Sequence, residues 1–140
     1  MLLNHNNQTK NTMEYFTSKT VDLSYDQAIV KVTDLLKEEG FGVLTEIDVR
    51  DTLKKKLDVD FKKYKILGAC NPNFAHKALQ AEDKIGVMLP CNVIVEENEE
   101  GTVEVSAVNP VASMQAVHNE GLQPIADQVR TRLEKVISNL

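Results

Sequence analysis

The chain has 140 residues, 42% of them hydrophobic and 26% charged, with a net charge of −5 from 16 basic and 21 acidic side chains. That size suits a single folded unit burying about two thirds of its unfolded surface, and the acidic balance argues against a nucleic-acid groove, which needs a positive field. No apolar run approaches the roughly 20 residues that span a bilayer, and no basic start leads into an apolar h-region. The expectation is a cytoplasmic protein with no nucleic-acid and no membrane partner.

Residues 1–12 are Asn-rich and without periodicity, and read as a flexible N-terminal extension before one α+β unit over 13–140. From Met13 to Leu23 apolar and polar residues alternate, which predicts a first strand. Ser24 and Gln27 form a capping box, and Tyr25, Ala28, Ile29, Val32, Leu35 and Leu36 recur at helical spacing up to Gly40, a left-handed stop. Phe41 to Val49 alternates again, with Glu46 and Asp48 opposite in parity to Ile47. Leu53 and Leu57 suit a short helix across a lysine-rich stretch that includes Lys56.

Tyr64 to Asn71 reads as a strand ended by Pro72, and Asn73 to Glu82 as a helix. Ile85, Val87, Leu89, Cys91, Val93 and Val95 predict one long strand, and residues 96–101 an acidic turn into a return strand through Val103, Val105 and Ala107. Asn109-Pro110 breaks that strand, and Val111 to Asn119 has no clear period. Gly121 onward is a helix with one apolar stripe and Pro124 in its first turn, where a missing N–H is harmless. An antiparallel-rich sheet with two long helices on one face, plus short extra helices, is a two-layer α+β fold. Apolar residues of both parities leave the other face in need of cover, which predicts a homodimer.

The two cysteines share a theme: Gly68-Ala69-Cys70-Asn71-Pro72 and Leu89-Pro90-Cys91-Asn92. Cys70 ends a strand just before a helix, where unpaired amides and the helix dipole favour thiolate. Cys91 follows Pro90, which cannot donate to a sheet ladder and so marks an edge, a bulge or a close approach. Cys70 and Cys91 are therefore the candidate catalytic residues, with two buried small hydrophobes as the alternative. Asn71 and Asn92 are costly in a core unless fully bonded, which points to a polar pocket or a turn cap. Asn71, Pro72, Pro90 and Asn92 are candidate ligand-binding residues, with Asp48 and Lys56 at the pocket edge. The cysteine spacing fits neither a zinc knuckle nor a haem motif, so no metal and no cofactor are expected. His76 is expected to face solvent, and a cluster of lysines between Lys54 and Lys65 offers a small anion site or merely a solvated face.

The string Ile66 to Pro72, with Ala75, Ala78-Leu79, Ile85-Gly86, Leu89 to Asn92, Gly40 to Val43, Thr45 to Asp48, Lys56 and Asn109-Pro110, resembles the domain of unknown function 302 family. The resemblance covers Met13 to Leu140. It implies a β-α-β(4)-α-like sheet similar in topology to the TATA-box-binding protein, commonly as a dimer, and it carries no established activity. Some relatives occur beside sulfur-handling domains, which points to a small sulfur or thiol ligand. Three functions stay open: a binding or accessory protein with a pocket around the cysteine-asparagine pair; an enzyme in which Cys70 attacks an electrophile or cycles through a disulfide with Cys91; and a structural interaction module.

Overall fold

The computed structural model describes residues 14–140, so the extension predicted over residues 1–12 lies outside the described residues. Five strands, β1 (Phe16–Val21), β2 (Gly42–Asp48), β3 (Tyr64–Cys70), β4 (Cys91–Glu97) and β5 (Val103–Val108), form one antiparallel sheet in the order β1-β5-β4-β3-β2. Helix α1 (Tyr25–Glu38) follows β1, and α5 (Gln123–Ser138) closes the chain. Between them come α2 (Val49–Leu57), α3 (Pro72–Ala81) and the four-residue α4 (Pro110–Ser113), with 3-10 helices at Asp83–Met88 and Glu120–Leu122. This is the predicted α+β arrangement, a β-α-β(4)-α frame with short extra helices.

The local signals explain the long helices. Ser24 Oγ accepts from the Gln27 amide at 3.1 Å, and Gln27 Oε1 accepts from the Ser24 amide at 3.0 Å, completing the capping box at the start of α1. Gly40, at φ +87°, ends that helix in a conformation that favours glycine. The inward stripe of α1, Ala28, Val32 and Leu36, and that of α5, Val129, Leu133 and Val136, meet the same sheet face. Leu67, Val93 and Ala107 lie side by side there across β3, β4 and β5, with Val95 beside Val105. Each Val or Leu among them contributes roughly 1.5–3 kcal/mol when fully buried, so this seam is a large source of stability.

The predicted strand from Ile85 to Val95 begins only at Cys91. Pro90 has no N–H to offer a neighbouring strand, and the Leu89-Pro90 peptide is cis. Upstream, Asp83–Met88 coils instead, burying Ile85 beside Ala78 and Leu122 while Val87 stands 83% exposed. Alternation at 85, 87 and 89 is therefore coincidental to a 3-10 turn, in which residues three apart share a side.

The second sheet face lies away from α1 and α5. Phe16, Val108, Ile94, Ile66 and Ile47 project from it, with Ile47 48% exposed. No helix among the described residues is long and apolar enough to cross a membrane.

Candidate functional site

Both β3 and β5 end in Asn-Pro. At each place asparagine caps a new helix and proline fills the first turn, where its lost N–H is harmless. Asn71 Oδ1 accepts from the Phe74 amide at 3.4 Å, and Asn109 Oδ1 accepts from the Val111 amide at 3.1 Å. Because β4 runs antiparallel between these strands, its first residue, Cys91, sits at the same sheet end, opposite Ala69. The two Asn-Pro turns thus bracket Leu89-Pro90-Cys91, and α3 and α4 leave the sheet on either side of it.

The space between these elements is a cavity of about 300 Å³. Ala69, Cys70 and Cys91 line it from the sheet, Phe74 and Ala78 from α3, and Pro110 and Met114 from α4 and its end. Phe41, Leu122, Ile125 and Val129 complete much of the wall. None of the lining residues carries a formal charge. Burial pushes the Cys91 thiol up to about 11, with a smaller push from the neighbouring Cys70, so Cys91 is a neutral thiol at physiological pH. Both cysteines are free thiols.

One close approach shapes the cavity's sheet side. A Cβ at Gly68 would collide with Thr45 Oγ1 and lie 2.9 Å from Pro90 Cγ, so only glycine lets β2 and the Pro90 turn close over β3 there. A register shift between Val43 and Thr45 leaves Leu44 as an extra residue, lining the cavity yet 69% exposed. Such a bulge re-aims a side chain that regular alternation would place elsewhere.

The predicted site residues divide. Cys70, Asn71, Pro90 and Cys91 line the cavity together. Asn92 is exposed on the opposite sheet face, since consecutive strand residues alternate, and pairs across from Gly68. Pro72 lines a separate outer cleft with His76, Lys77 and Arg132, and His76 is exposed there. Asp48 caps α2 by accepting from the Asp51 amide at 2.9 Å, and Lys56 is exposed on that helix. In the lysine-rich segment, Lys54 pairs with Asp58 and Asp60, Lys55 with Asp51, Lys62 with Glu96 and Lys65 with Glu46. Phe41, Leu44, Met114, Leu122 and Ile125 also line the cavity, although their place in the chain marks them only as strand, loop or helix-stripe residues. The repeat of Asn-Pro at 109–110 was the signal that a second helix starts at this sheet end.

Residues 17–140 match the family described as domain of unknown function DUF302. The chain belongs to the DUF302 family. A solved structure, an uncharacterized conserved DUF302 protein from Bacillus stearothermophilus, is similar to this DUF302 chain at 28% identity, with a TM-score of 0.84, covering 90% of this chain and 98% of that one. No functionally curated protein matches the sequence.

Proposed function

We propose that this DUF302 protein is a homodimeric binding or accessory protein whose cavity at the Cys70–Cys91 end of the sheet takes up a small molecule. The observation that carries this reading is the cavity itself: about 300 Å³, lined from three helices and the sheet end, and containing both of the chain's thiols. That is the lower end of the size range of small-molecule sites, about 300–1,000 Å³. Cys70, Cys91 and Met114 all line the cavity, which suits a sulfur-bearing ligand, since soft polarizable groups pack well together. Two free thiols also fit a reducing compartment such as the cytoplasm.

The homodimer half of the proposal rests on the sheet face away from α1 and α5. Phe16, Ile47, Ile66, Ile94 and Val108 form an apolar band that a second copy would cover. Native mass spectrometry of protein purified from cells tests both parts. The expected result is a dimer mass with a small non-covalent adduct that Cys91→Phe abolishes; a bare monomer at micromolar concentration would overturn both.

A thiol-dependent enzyme is the second reading, favoured by the two thiols' common cavity. In it Cys70 is the attacking group, because Cys91 keeps its proton until far above neutral pH. Turnover of an electrophile that survives Cys91→Ala and is lost in Cys70→Ala would support this reading.

A further inference from the structure

We infer that the cavity's ligand is a neutral, apolar, ring-containing molecule about the size of naphthalene, which enters past Leu44. This deepens the small-molecule reading and rests on it. Size comes first. An apolar cavity of about 150 Å³ holds benzene in a well-studied case, and the cavity here, about 300 Å³, has twice that volume. A fused two-ring system fills it where a single ring would rattle.

Polarity comes next. A charged ligand needs a counter-charge or a set of aimed hydrogen-bond donors once water is excluded, and no lining residue is charged. Asn71 has the strongest polar side chain on the wall, yet its nitrogen donates to the Glu39 carbonyl and its oxygen accepts from the Phe74 amide. Thr45 packs its hydroxyl against Gly68. The Cys91 thiol is held neutral by burial, so it brings no charge either. What remains is Phe41, Phe74, Met114 and two sulfhydryls, and sulfur and aromatic edges are favourable neighbours for a ring.

The route in follows from the bulge in β2. Leu44 is the extra residue between Val43 and Thr45, and it is at once part of the lining and largely exposed. The rim there pairs Leu44 with the uncharged Thr45, so an incoming ring meets no charged side chain among the described lining residues on its way to Ala69 and Cys91.

Equilibrium dialysis of the full-length protein with three probes tests the assignment: naphthalene, naphthalene-2-sulfonate as its charged counterpart, and cysteine as a polar thiol. Naphthalene is expected to bind and raise the melting temperature, with the sulfonate and cysteine at least tenfold weaker. Ala75→Leu, which fills the cavity from half-exposed α3, and Leu44→Asp, which puts a charge at the rim, should each weaken naphthalene binding at least tenfold. If one of these variants does not melt cooperatively, the other carries the test. Equal or tighter binding of the sulfonate or cysteine overturns the apolar class and leaves the small-molecule reading standing. Unchanged naphthalene binding in the variants places it elsewhere and overturns the class as well. Failure of all three probes also overturns the class; together with an empty protein in native mass spectrometry, it overturns both readings.

Discussion

The side-chain nitrogen of Asn71 donates to the backbone carbonyl of Glu39 at 3.3 Å, tying the end of β3 to the turn that closes α1. The same side chain caps α3. Gly40 makes room for this: a Cβ there would lie 2.9 Å from Asn71 Nδ2. Asn71 therefore positions the cavity wall with both of its polar atoms and presents little more than its carbon skeleton to the interior.

Loss of that tie should be measurable. Removing an N-cap costs about 0.5–2 kcal/mol, and Asn71→Ala is expected at the upper end, because the donation to Glu39 disappears too. Asn71→Ser keeps an uncharged acceptor for the Phe74 amide and should lose less. Urea unfolding of the two variants checks the order; equal losses would show that the cap contributes nothing beyond the Glu39 contact.

Gly68→Ala should destabilise the protein by about 1–3 kcal/mol, the usual range for forcing an extra group into a packed interior. The new Cβ meets Thr45 first and Pro90 second. Thr45→Ala removes the first obstacle, so the double variant should recover part of the loss. A double-mutant cycle in denaturant would detect this coupling; strict additivity would mean the strain is relieved elsewhere.

Alkaline stability offers a separate check. Burial raises the Cys91 thiol from 9.0 to about 11 in the folded protein. Between those values the unfolded chain loses a proton that the folded chain keeps, so ν_U is below ν_N and stability falls as pH rises. The contribution is fully present below about pH 9 and gone above about pH 11, on the order of 2–3 kcal/mol in all at 1.36 kcal/mol per pH unit. Cys91→Ala should flatten the slope of stability against pH in that window. An unchanged slope would indicate that water reaches Cys91.

Lys19 reaches from β1 to the C-terminal end of α5, donating to the Leu140 carbonyl at 2.6 Å and to the Ser138 carbonyl at 3.2 Å. Its charge also meets the negative end of the helix dipole. Lys19→Met keeps the stem but loses these bonds, and should cost about 1 kcal/mol. Faster amide hydrogen exchange confined to the last turn of α5 would confirm the local origin, whereas uniform acceleration would not.

Much of the frame was legible because long elements repeat their signal. Four buried positions in α1 and five in α5 make the helical period unmistakable. The cavity's walls were not legible, for the opposite reason. Helix α4 has four residues, too few to display any period, so Met114 and its neighbours could not be assigned a side. Leu44 owes its position to a bulge, which alternation cannot foresee. Cys91 and Asn92 were grouped by their adjacency in the chain, yet two neighbours on a strand must face opposite ways unless a bulge intervenes. Cys70 and Asn71 escaped that separation because Asn71 lies beyond the strand, already turning into a helix.

Strand β4 is the middle member of the sheet, hydrogen-bonded to β3 on one side and β5 on the other, and it carries Cys91. The short helices α3 and α4 beside it each start from an asparagine cap at a strand end. Held on both sides, the floor at Cys91 therefore opens only when the sheet itself comes apart, so amide exchange there should be among the slowest in the protein.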